Sequence, residues 1–267
     1  MKLIYGACIG KDAKKIETLK KLGCEFCEVS FSALADGPEE DVQKIADECK
    51  KHGVLCLSAN GFIPGRIRLT GPEVDDAVIL NYLEDSFKKL SILGLKNVIF
   101  GSGGARNIPE GFSRETAKAQ IVHFLRDLVA PLAEKYNIII GIEELNDRES
   151  NVLNTCAEVM EYVRAVNHPN VRLLVDLYHV DLMGESVASL ADYRGSISHV
   201  HIASATQNRN VPTPADPENY EEFFRVLRTA EYESGAISLE GNFPSGFEND
   251  TRAAVEYLRS VEAKINA

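Results

Sequence analysis

The sequence predicts a single (β/α)8 barrel, and three observations carry that expectation. Its 267 residues match the ~250 typical of such a barrel. Short apolar runs alternate with amphipathic stretches along the whole chain, the signature of βαβ units and a parallel sheet. No change of composition marks a linker, so residues 1–267 read as one domain. A doubly wound open sheet satisfies the same alternation, because strand order is invisible in sequence. The equal count of eight strands and eight helices favours closure.

Lys2 to Ile9 starts the series as a strand, and Asp12 to Leu22 follows at helical spacing up to Gly23, a suitable C-cap. Phe26 to Phe31 reads as the second strand, Glu39 to His52 as a charged helix stopped by Gly53, and Val54 to Ser58 as the third strand. Residues 59–72 hold five glycines and prolines and no period, so they read as a long loop. Its position suggests a cover for a site, with Phe62 or Ile63 as an apolar lid. A helix from Val74 to Leu93 leads to the fourth strand, Lys96 to Phe100, and to the glycine-rich turn GSGGAR, which reads as a tight strand-to-helix turn or a weak anion cradle. Ser113 to Tyr136 is a helix with Ser113 or Thr116 as N-cap and a kink expected at Pro131.

The fifth strand lies in NIIIGIEELNDRE, from Asn137 to Glu149. Asn154 to Val166 is the next helix, Val171 to Asp176 a strand, Val187 to Tyr193 a short helix and Ile197 to Ala203 a strand. A polar loop with Pro212, Pro214 and Pro217 precedes a helix from Tyr220 to Tyr232. Gly235 to Glu240 is the eighth strand and Asp250 to Ile265 the closing helix.

With 45% hydrophobic and 26% charged residues the chain has the composition of an ordinary globular protein. A formal net charge of −11 opposes nucleic acid as a partner, since phosphate binding is mostly cationic. A strand begins almost at once after Met1, unlike a secretory leader, and no apolar run approaches the ~20 residues that span a bilayer. A cytoplasmic protein without a membrane partner is the expectation. Six cysteines are scattered through strands and helices and read as small, reduced core residues; Cys24 and Cys27 form a CxxC without a second pair.

Four strands end in residue types that bind metals: Glu143, Asp176, His201 and Glu240. Side chains alternate across a strand, so Glu143 facing inward aligns with Gly141, Asp176 with Leu174, His201 with His199, and Glu240 with Ser238 and Ala236. Glu144 then faces the helices. Small residues at Gly141, Ala236 and Ser238 leave room behind the carboxylates. Three carboxylates and an imidazole turned inward at one rim repel unless a cation lies between them. An O3N set with open positions suits a hard to borderline divalent ion, Mn2+, Mg2+ or Co2+, with Zn2+ a further candidate.

These residues resemble the xylose isomerase-like barrel superfamily, and within it the sugar phosphate isomerase/epimerase group that includes the ketose 3-epimerases. The motifs are Glu143-Glu144-Leu145-Asn146 with Glu149, the step Asp176-Leu177-Tyr178-His179, His199-Val200-His201, and YESGAISLE from Tyr232 to Glu240. The resemblance implies metal ligation by Glu143, Asp176, His201 and Glu240, and substrate contact by Glu149 and His179. One departure stands out. The group usually carries a glutamate three residues after the second histidine and an arginine three further on; here those positions are Ser204 and Gln207. Arg209 resembles that arginine displaced by two residues and is the candidate for its substrate contact.

The implied reaction is proton abstraction beside a metal-chelated carbonyl, through an ene-diolate, on a sugar, sugar phosphate or cyclitol. Glu143 and Glu240, on strands that are not neighbours, are the candidate bases, one for each face. The expected partner is therefore a small-molecule sugar, met by a monomer or a homo-oligomer. Three other readings remain at this point: a lyase or dehydratase on an oxidised sugar or inosose, an abasic-site endonuclease, and a sugar-binding barrel without turnover. Few histidines and an acidic chain weigh against the endonuclease.

Overall fold

A computed structural model describes residues 2–266. Eight parallel strands close on one another in sequence order: β1 (Ile4–Gly10), β2 (Phe26–Ser30), β3 (Leu55–Asn60), β4 (Asn97–Phe100), β5 (Ile139–Glu143), β6 (Val171–Asp176), β7 (Ile197–Ile202) and β8 (Ala236–Leu239). β1 pairs with β8, which removes any free sheet edge. Helices fill each crossover and cover the barrel, so the core lies partly inside the strands and partly between strands and helices.

Local chemistry explains where the elements stop. Gly53 ends the helix Glu39–His52 in the left-handed region at φ 63°, where its N–H reaches Cys49 O; a glycine adopts that conformation without a Cβ penalty. The helix Asp76–Leu90 begins on Asp75, whose carboxylate accepts from the N–H groups of Ala77 and Val78. Ser113 is the cap of the next long helix and accepts from Thr116 N at 3.1 Å. That helix runs as α from Arg114 to His123, widens to a π turn over Phe124–Val129, and resumes as α over Ala130–Tyr136. Pro131 lacks the N–H that would return to Asp127, and the irregularity falls in the turn before it.

Several boundaries differ from the sequence reading. Short helices at Phe31–Asp36 and Leu177–Leu182 follow directly on β2 and β6, and one at Gly103–Arg106 follows β4 after Gly101 and Ser102. β3 extends to Asn60, two residues beyond the predicted end. Phe62 and Ile63 do not form a lid. Phe62 is fully buried, its ring 5.0 Å from that of Phe31 and 5.8 Å from that of Phe87; an aromatic ring gains about 1.5–3 kcal/mol from such burial and would lose it over a polar site.

Nor does GSGGAR cradle an anion. Arg106 is wholly buried and spends its guanidinium on main-chain oxygens, Nη1 donating to Phe100 O and Glu143 O at 2.9 Å each and Nη2 to Leu153 O at 3.2 Å. The arginine thus ties the end of β4 to the end of β5 and to the loop beyond it. That loop is closed at its base, where Leu145 N–H donates to Leu153 O at 3.0 Å.

Candidate active site

The carboxyl ends of β5 to β8 bring Glu143, Asp176, His201 and Glu240 together. One donor atom from each lies within 4.8 Å of the others. Glu143, Asp176 and His201 are buried and Glu240 is half-buried. His201 Nδ1 is 3.0 Å from Glu143 Oε1 and 3.1 Å from Glu240 Oε2. Asp176 divides its carboxylate: Oδ1 caps the helix Leu177–Leu182 by accepting from Tyr178 N at 3.0 Å, while Oδ2 looks into the cluster.

Strand alternation holds as expected. Glu144 points away from the cluster and accepts from Asp176 N at 2.8 Å, fixing β6 against β5. His199 sits one layer below His201, bonded to Glu28 Oε2 and Ser238 Oγ at 2.9 Å each. Gly141 leaves little room beside it, since a Cβ there would lie 3.0 Å from Ser198 Oγ.

Burial strains the charges. Desolvation raises the Glu143 carboxyl, and it raises Asp176 to about 8 despite the Arg209 charge. For Glu240 desolvation is outweighed by the His201 charge and hydrogen bond, which hold it at about 2. His201 is raised against its own desolvation by Glu240 and Glu28. The carboxylates of the cluster surround Nδ1 of His201, where a metal ion would offset their charge. Three carboxylates and an imidazole nitrogen pointing at a common centre fit a divalent cation of oxygen and nitrogen preference.

Two contributors were not anticipated from sequence. Glu28, buried in the middle of β2, places Oε1 2.9 Å from His201 Nε2, off the line of a good hydrogen bond, and accepts from Ser58 Oγ at 2.6 Å. The two histidines hold its carboxyl well below the usual range in spite of burial. Asn60, at the end of β3, donates Nδ2 to Glu240 Oε1 at 2.6 Å. A lone charge inside the short run FCEVS was the available signal for Glu28; Asn60 gave none beyond its strand end.

The remaining candidates form the rim. His179 Nδ1 accepts from Asn146 N at 3.1 Å, so the ring proton resides on Nε2. That Nε2 is buried without a hydrogen-bond partner, 3.5 Å from Asp176 Oδ2. Desolvation and the Arg209 charge hold His179 down at about 3, which keeps the ring neutral. Glu149 accepts from Asn146 Nδ2 at 2.8 Å. Arg209, in left-handed backbone at φ 57°, does reach the cluster, with Nη2 2.6 Å from Glu240 Oε2 and 3.3 Å from Asp176 Oδ2, and with its guanidinium 4.6 Å above the Tyr178 ring. Ser204, where the group usually has a glutamate, turns to Glu218 instead, with Oγ donating to Oε1 at 2.9 Å.

Fold and site together define a (β/α)8-barrel protein with a carboxylate–imidazole centre at the mouth where such barrels carry their chemistry. The chain belongs to the xylose isomerase-like TIM barrel family, whose model matches residues 16–261. It is 27% identical over 233 residues to D-psicose 3-epimerase of Enterocloster bolteae, covering 84% of this chain and 75% of that protein. L-ribulose 3-epimerase of Methylomonas sp. is 31% identical over 236 residues, covering 85% and 77%. These relatives are epimerases, of the isomerase class. The crystal structure of D-psicose 3-epimerase with D-tagatose from Clostridium cellulolyticum superposes with a TM-score of 0.85 at 19% identity, over 97% of this chain and 99% of that one. At that identity the likeness concerns the fold. Among the described residues no helix is long and apolar enough to cross a membrane.

Proposed function

We propose that this protein is a divalent-metal-dependent ketose epimerase acting at the carbon next to the substrate carbonyl. The observation that carries this reading is the convergence of Glu143, Asp176, His201 and Glu240 within 4.8 Å at the barrel mouth, in a chain related to sugar epimerases. These four residues would hold one divalent ion, Mn2+ first, with Mg2+, Co2+ or Zn2+ as alternatives. Such an ion, when bound, supplies Lewis acidity to the oxygens of an α-hydroxyketone.

The chain's own residues supply the proton traffic. One of Glu143 and Glu240 takes the proton from the carbon next to the carbonyl, leaving the ene-diolate of the sugar, and the other returns a proton to the opposite face. His179, neutral and carrying its proton on an otherwise unpartnered Nε2, donates to a substrate hydroxyl. Arg209 and Glu149, 3.4 Å apart at the rim, bind further hydroxyls. Arg106 contributes by holding the main-chain oxygen of Glu143 in place.

Incubation of the manganese-loaded protein with a panel of ketoses in D2O should put deuterium at the carbon next to the carbonyl and yield the epimer. Glu143→Gln and Glu240→Gln should each abolish exchange. Undiminished exchange in either variant would overturn the two-base assignment. Absence of exchange with every ketose in metal-loaded parent protein would overturn the function. Exchange accompanied by loss of water rather than an epimer would point to a dehydratase.

A further inference from the structure

A second cluster of metal-binding side chains lies on the opposite side of the sheet from the site. The sulfurs of Cys27 in β2, Cys49 in the helix Glu39–His52 and Cys56 in β3 all fall within 4.8 Å of one another, with Cys27 Sγ and Cys49 Sγ at 3.7 Å. The sheet is shaped to allow this. Cys27 pairs with Cys56, but the next pair is Glu28 with Ser58, so Leu57 is an extra residue in β3. That bulge breaks the alternation: Ser58 points inward, to Glu28, while Cys56, two residues earlier, points outward beside Cys27. The helix above then lowers Cys49 onto the pair.

From this geometry we propose that Cys27, Cys49 and Cys56 bind one soft monovalent cation, Cu(I), between the barrel wall and its helix layer. Metal–sulfur bonds of about 2.3 Å at trigonal or tetrahedral angles set sulfurs roughly 3.8–4.0 Å apart. The cluster needs to contract by less than about 1 Å to reach that spacing. No His, Asp or Glu shares the cluster among the described residues. An all-sulfur set of low coordination number selects Cu(I) over the oxygen-preferring ions suited to the barrel mouth.

Cysteine ligates as the thiolate, so uptake of the ion releases thiol protons. Cys49, in the last turn of its helix, is 8% exposed against 0% for Cys27 and 5% for Cys56, so entry passes its sulfur.

The test is anaerobic titration of the reduced full chain with Cu(I), competed by a chromogenic Cu(I) chelator and followed by copper-edge X-ray absorption. One copper per chain should be retained, with a shell of sulfur only. Cys49→Ala and Cys56→Ala should each lose that copper while keeping the parent circular dichroism. Cys24→Ala, which breaks the CxxC, and Cys8→Ala, which removes the thiol nearest the carboxylate cluster, should keep it. Failure of the parent to retain copper overturns the proposal. So does copper that follows Cys8, survives Cys49→Ala, or shows nitrogen and oxygen neighbours.

Discussion

Glu28 Oε1 stands 2.9 Å from Nε2 of His201, while the other nitrogen of that ring faces Glu143 and Glu240. A carboxylate behind an imidazole fixes its orientation and raises its basicity toward whatever the far nitrogen binds. Glu28 also ties down Ser58, His199 and Ser238, so β2, β3, β7 and β8 share one anchor beneath the cluster. Glu28→Gln should weaken Mn2+ binding by roughly 10–100-fold, read by isothermal titration calorimetry. An unchanged affinity in a folded variant would remove Glu28 from the support of the centre.

Gly101 follows β4 with no room for a side chain. A Cβ there would overlap Glu143 Oε2 and lie 3.3 Å from its carboxyl carbon. Gly101→Ala should displace that carboxylate and cut turnover by at least tenfold with little loss of thermal stability. Parent-like turnover would show that Glu143 can sit elsewhere without consequence.

Arg106 makes three hydrogen bonds to main-chain oxygens from a wholly buried position, and desolvation depresses it to about 10. Arg106→Leu would strand those oxygens. Each buried group left without its partner costs about 1–3 kcal/mol, so destabilisation on the order of 3–5 kcal/mol is expected in urea unfolding. A loss below about 1 kcal/mol would contradict the pinning role.

Asp181 has a buried Oδ2 without a partner, and desolvation, with Glu218 nearby, raises its carboxyl from 3.8 to about 6. The folded chain therefore holds this proton more tightly than the unfolded chain. That contribution to stability is present in full below pH ~4 and is lost as pH rises through about 6. Asp181→Asn should flatten the pH dependence of unfolding between those limits and match or exceed the parent at pH 7. A parallel pair of pH–stability curves would refute the assignment.

How much of this was legible in the sequence depended on the range of the signal. Strand ends were readable because apolar runs stop at Glu143, Asp176, His201 and Glu240, and alternation correctly sent Glu144 outward and His199 inward. Arg209 was legible only through a displaced motif, and its left-handed backbone carries it into the cluster. Glu28 was missed because its partners Ser58, His199 and Ser238 lie 30, 171 and 210 residues away, beyond any local period. Phe62 was misread, and the GSGGAR turn left between two readings, for the same reason: polar or apolar character in a loop does not tell whether a residue covers a site or is swallowed by the wall around it.

The hydrogen bond from Leu145 N–H to Leu153 O makes the loop after β5 a module with its own latch. Arg106 grips its far end through Leu153 O, and within it Asn146 N–H donates to His179 Nδ1 and Asn151 Nδ2 to Ile108 O. A replacement loop that keeps both end residues keeps the grip of Arg106 on Glu143 O and Leu153 O. On the proposed function, the loop would choose the substrate and the strand below would react with it, so grafting that one loop is the route to a changed substrate preference.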